Sequence, residues 1–154
     1  MAIKQAAAAD LAARPSLTFK RRLNAPPEKV YAAWTDPEKI VRWFGRADLK
    51  SETMRAVIDA RVGGHYRINF DVESGERFEV GGVYREVVPN ERLVFSWAWH
   101  TTPERESEVT VTLRPDGDGT LLTVHHAQLF DEAAREGHER GWLGGLDKLE
   151  KLVA

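Results

Sequence analysis

The sequence predicts an α+β domain: an antiparallel sheet of six to seven strands with one long C-terminal helix on its dry face, and two short helices between strands 1 and 2. Three observations carry that prediction. Between residues 50 and 127, short segments of alternating apolar and polar residues are separated by turn formers. Two helix starts with proline in the first turn fall between residues 26 and 45. Near the end, Trp142, Leu146, Leu149 and Val153 form a single apolar stripe at helical spacing.

The first strand spans 16–24, with Leu17, Phe19 and Leu23 on one face and Thr18, Lys20 and Arg22 on the other. Pro26-Pro27 opens a short helix burying Val30, Ala33 and Trp34. Asp36 caps the next, with Pro37 at its first position, Ile40, Trp43 and Phe44 on one face, and Gly45 at its end. Six strands follow, marked by Met54-Ala56-Ile58, Tyr66-Ile68-Phe70, Phe78-Val80-Tyr84, Leu93-Phe95-Trp97-Trp99, Val109-Val111-Leu113 and Leu122-Val124-His126 when alternate residues are read. Turns are expected at Gly63-Gly64, Ser74-Gly75, Pro89-Asn90, 101–103 and 115–119. Asp131 caps a terminal helix over about 131–152. Residues 1–15 read as a flexible extension and 16–154 as one domain.

Composition narrows the function classes. The 154 residues carry 22 Lys plus Arg against 24 Asp plus Glu, a net charge of −2, and offer no basic footprint for a nucleic acid. The one basic run, Lys20-Arg21-Arg22, alternates faces along a strand and reads as solvated. There is no cysteine, which removes disulfides, thiolate metal sites and cysteine nucleophiles. No apolar run reaches the roughly 18 residues of a membrane span. Phosphate-loop, nucleophile-elbow and H-E-x-x-H motifs are absent, and His125-His126 points its rings to opposite faces. No catalytic residue, metal or cofactor is assigned, and a cytoplasmic location is expected.

The five tryptophans ask for a large aromatic interior or an aromatic-lined cavity. Taken singly, each ring reads as core. Taken as a set, Trp43, Phe44, Tyr66, Phe70, Phe78, Tyr84, Phe95, Trp97, Trp99 and Trp142, with Leu146, exceed what one helix can cover and suggest a pocket lining. Trp97, Trp99 and Trp142 are the strongest choices, with Trp43 or Phe44 near an entrance. By strand parity, His126 (with Leu122 and Val124) and Glu86 (with Phe78, Val80 and Tyr84) face inward, where either would anchor a ligand hydroxyl or carboxyl group. His138 falls on the stripe of Trp142. Glycines 137, 141, 144 and 145 cost the terminal helix about 1 kcal/mol each in propensity. They imply close approach of the helix to the sheet, room for a ligand beside Trp142, or a hinge.

A set of phrases in fixed order resembles a known family: Ala25-Pro26-Pro27-Glu28-Lys29-Val30-Tyr31, Trp34-Thr35-Asp36-Pro37-Glu38, Trp43-Phe44, Asp59-Ala60-Arg61-Val62-Gly63-Gly64, Glu86-Val87-Val88-Pro89, Arg92-Leu93-Val94-Phe95-Ser96-Trp97, Gly119-Thr120-Leu121-Leu122-Thr123-Val124 and Gly141-Trp142. Over 16–154 the chain resembles the START-like, or SRPBCC, superfamily, in the branch similar to the C-terminal domain of the activator of Hsp90 ATPase. The resemblance implies a helix-grip fold, its sheet curved around the terminal helix, with a cavity between them for a small apolar or aromatic molecule. It also implies two alternatives. One is an enzyme of cyclase or hydrolase type using His126, Glu86 or Tyr66; the other is a chaperone-associated or stress-response interaction module. The eukaryotic co-chaperone carries a separate N-terminal domain, whereas only residues 1–15 precede the first strand here, which argues against an Hsp90 role. A homodimer is left open.

Overall fold

Strand alternation and turn residues fold the chain into one curved seven-stranded antiparallel sheet in the order β1-β7-β6-β5-β4-β3-β2. The computed structural model describes residues 11–154 apart from 48 and 50. The expected extension at 1–15 therefore lies mostly outside the described residues. The strands are β1 (Leu17–Leu23), β2 (Arg55–Ile58), β3 (His65–Asp71), β4 (Arg77–Val88), β5 (Arg92–Trp99), β6 (Ser107–Asp116) and β7 (Gly119–Ala127). From β2 to β7 they form a meander, and β1 closes onto β7 with Leu17 opposite His126 and Leu23 opposite Thr120. The short connections are those expected of antiparallel neighbours.

Between β1 and β2 lie α1 (Pro27–Thr35), the single turn α2 (Pro37–Ile40) and a 3₁₀ turn (Ser51–Thr53). Asp36 accepts a hydrogen bond from the Glu38 N–H at 2.9 Å, so the cap read from the sequence holds α2. The second helix is shorter than its apolar spacing suggests. Beyond Ile40 the chain continues in turns that carry Trp43 and Phe44 into the core, until Gly45 reverses it at φ +84°.

The terminal helix α3 (Glu132–Val153) starts where Asp131 accepts from the Ala134 N–H at 2.9 Å. Its predicted stripe is fully buried, with Trp142, Leu146, Leu149 and Val153 each at most 5% exposed. Each such side chain contributes about 1.5–3 kcal/mol of burial free energy. Trp142 packs on Trp97 of β5 with ring centroids 5.4 Å apart, which seats the helix on the concave face of the sheet.

One register detail corrects the reading of β4. A bulge lies between Tyr84 and Glu86, where an extra residue enters the ladder with β5. Past it the inward parity reverses, so Val87 packs against the core while the Glu86 side chain is 46% exposed and pairs with Arg92 at 3.1 Å. Glu86 is therefore not an inward anchor.

Candidate functional site

Between α3 and the concave face lies a cavity of about 370 Å³, within the range of small-molecule sites. The sheet supplies Phe70, Phe78, Trp97 and Trp99, with Val72, Thr101 and Thr102 from the strand ends and following turns. The turn after α2 supplies Phe44, Gly45, Arg46 and Leu49, and α3 supplies Ala134, Gly137, His138, Gly141 and Trp142. Sequence places these rings together through register. Phe70 on β3 sits directly opposite Phe78 on β4, with centroids 6.1 Å apart, and Trp99 meets both edge-on. Phe44 reaches in from the other side to 5.7 Å from Trp97.

The glycines of α3 divide by role. A Cβ on Gly144 would collide with the backbone nitrogen of Ala47, and one on Gly145 would crowd the Gly45 and Trp43 carbonyls at 3.3 Å. These two let the helix approach the turn after α2. Gly137 and Gly141 face open space on the cavity wall, and their missing side chains are part of its volume.

Two histidines knit helix to sheet. The Trp142 indole N–H donates to His126 Nδ1 at 3.0 Å. An indole nitrogen only donates, so that ring nitrogen carries no proton. The neutral ring's proton is then on Nε2, which donates to Ser107 Oγ at 2.7 Å, and the Ser107 hydroxyl donates to the Trp97 carbonyl at 3.3 Å. His138 has the opposite tautomer. Its Nε2 accepts from Trp97 Nε1 at 3.2 Å and Trp99 Nε1 at 3.0 Å, while Nδ1–H donates to the Ala134 carbonyl at 2.7 Å. Burial pushes the pKa of both rings down, and for His126 the neighbouring His138 and His125 add to the effect. The His126 and His138 rings lie 5.0 Å apart, centroid to centroid.

Of the residues expected to line a pocket, Phe44, Phe70, Phe78, Trp97, Trp99 and Trp142 are on the cavity wall. Trp43, Tyr66, Tyr84, Phe95, His126 and Leu146 are buried in the core and do not line it. Trp43 donates its indole N–H to the Ala33 carbonyl at 2.9 Å, and Tyr66 donates its hydroxyl to the Ser96 carbonyl at 2.7 Å, its pKa raised by burial and by Tyr84. Phe95 meets Tyr66 and Tyr84 edge-on, and the two tyrosine rings pack tilted with centroids 5.7 Å apart. His126 faces inward as parity requires, but both ring nitrogens are committed, so it is not placed to anchor a ligand. Sequence reasoning missed the polar lining residues Arg46, Thr101, Thr102 and His138, of which His138 receives the indole N–H groups of Trp97 and Trp99. For His138 the signal was present: buried indole N–H groups need acceptors, and His138 shares the stripe of Trp142.

A second depression, about 630 Å³, lies over β2–β5 on the outward face, walled by Asp59, His65, Arg67, Glu79 and His100 among others. It is larger but more polar than the cavity under α3, because outward His65 and Arg67 alternate along β3 with buried Tyr66 and Ile68. The apolar, aromatic wall makes the cavity under α3 the better candidate. Among the described residues no group of three or more His, Asp or Glu converges on a metal position, and no helix is long and apolar enough to cross a membrane.

Known proteins share this architecture. Protein CV1439 from Chromobacterium violaceum is 31% identical with a TM-score of 0.77, covering 90% of this chain and 97% of its own. CalU16 from Micromonospora echinospora is 30% identical with a TM-score of 0.65, over 90% of this chain and 76% of that one. NE0264 from Nitrosomonas europaea, 24% identical with a TM-score of 0.73 over 94% and 95% of the two chains, shares the fold. No curated protein matches the chain closely enough to serve as a relative. The family model described as activator of Hsp90 ATPase homolog 1-like protein matches residues 24–154. With that match spanning nearly the whole helix-grip domain, the chain belongs to the activator of Hsp90 ATPase homolog 1-like family.

Proposed function

We propose that the protein binds a small, largely apolar aromatic molecule in the cavity between α3 and the sheet. The observation that carries this reading is the cavity itself: about 370 Å³ left open under a helix whose Gly137 and Gly141 have no side chain to fill it. Apolar surface left open to water is costly, at about 25 cal/mol per Å², and aromatic walls recover that cost only when something occupies them. Membership in a family with a ligand-binding fold supports the same reading.

Titration with 2-ethylnaphthalene, read by tryptophan fluorescence, tests the proposal, since Trp97, Trp99 and Trp142 all border the space. Saturable quenching is expected. Gly141→Leu, which projects a side chain into open space and improves helix propensity, should abolish it with the thermal transition preserved. Quenching that never saturates, or that is unchanged in Gly141→Leu, contradicts the proposal.

The alternative of an enzyme using His126, Glu86 and Tyr66 draws no support from their arrangement. Each is committed to a separate partner, namely Trp142 with Ser107, Arg92, and the Ser96 carbonyl.

A further inference from the structure

Resting on the cavity as a ligand site, we infer that its occupant carries a hydrogen-bond acceptor oxygen, of carbonyl type, which is received by the Trp99 indole N–H. Donors exceed acceptors at this point of the wall. Both Trp97 Nε1–H and Trp99 Nε1–H are directed at His138 Nε2, at 3.2 and 3.0 Å. A neutral imidazole nitrogen has one in-plane lone pair, which accepts one good hydrogen bond, so a second donor is held at a discount. The ring cannot turn to relieve this, because Nδ1–H is fixed on the Ala134 carbonyl at 2.7 Å.

A ligand oxygen settles the imbalance. Trp99, less buried than Trp97, passes its N–H to the ligand, and Trp97 keeps His138 to itself. A ligand that offers only a donor must instead compete for the His138 lone pair and strand two indole N–H groups. A cationic ligand meets no counter-charge, since none of the described lining residues is a carboxylate. The surrounding rings of Phe70, Phe78 and Trp99 accept the flat apolar remainder.

The test compares two near-isosteric probes, 2-acetylnaphthalene and 2-ethylnaphthalene, which differ by a carbonyl in place of a methylene. The ketone should bind about 3- to 10-fold more tightly, the worth of one net hydrogen bond. In Trp99→Phe, which keeps a ring and removes the N–H, the ratio of the two affinities should fall to about one. As a second readout on the unaltered protein, the Trp99 indole ¹H resonance should move further with the ketone than with the hydrocarbon, while the Trp142 indole resonance, held by His126, should not distinguish them. Equal affinities in the unaltered protein, or a ketone preference that survives Trp99→Phe, overturn the inference and leave the cavity reading standing. Saturable binding of neither probe overturns both.

Discussion

His126 and His138 are histidines whose protonation is decided by their neighbours. Trp97, Trp99 and Trp142 can only donate, so a proton on His126 Nδ1 or His138 Nε2 would face an N–H head-on. Both folded-state pKa values lie below the ordinary 6.5, with burial the leading cause. In the unfolded chain both titrate near that ordinary value. Above it, both states are neutral and the contribution of the pair to stability is fully present. As pH falls below about 6.5 the unfolded chain takes up protons that the folded rings refuse, and stability is lost toward the depressed folded values, by about 1.4 kcal/mol for each pKa unit of depression. The urea midpoint should therefore fall between pH 7.5 and 5, and the slope should flatten in His126→Gln and His138→Gln. A wild-type slope retained in both variants contradicts this assignment. Strand parity alone turned His126 inward, since Leu122 and Val124 share its face. What the ring does there was not legible, because Ser107 and Trp142 come from a different strand and from the helix.

Helix α3 shows how one element serves packing and vacancy together. Its cap at Asp131 and its stripe from Trp142 to Val153 were legible, because capping chemistry and a 3.6-residue period are local properties. The roles of its glycines were not, since they depend on which element passes nearby. Gly144→Ala would drive a methyl group into the Ala47 backbone and should cost about 1–3 kcal/mol, as overpacking does. Gly141→Ala meets nothing and should gain up to about 1 kcal/mol in helix propensity. Thermal melts should move in opposite directions, by roughly 2–4 °C per kcal/mol, and shifts of the same sign would refute the division. The strands were equally legible by alternation, with one exception. A single extra residue between Tyr84 and Glu86 leaves no mark in composition, yet it sends every later side chain of β4 to the other face, and with it Glu86 to Arg92.

Across the molecule, the sheet curves around α3 without closing on it, and the unfilled space collects on the side where α3 carries Gly137 and Gly141 rather than the Leu146–Val153 end. An excess of wide rings was visible in the sequence; their partition was not. Trp43, Tyr66, Tyr84 and Phe95 fill the interior, whereas Phe44, Phe70, Phe78, Trp97, Trp99 and Trp142 border the cavity, a division set by tertiary packing that strand parity cannot resolve. Intermolecular nuclear Overhauser contacts from bound 2-ethylnaphthalene locate the occupied space most directly. Contacts are expected to Phe70, Phe78 and Trp99 and to the α-protons of Gly137 and Gly141, all of which border the cavity. Contacts confined to the outward depression, around Val57, Arg67 and His100, or an absence of any contact at saturating probe, would contradict a ligand site beneath α3.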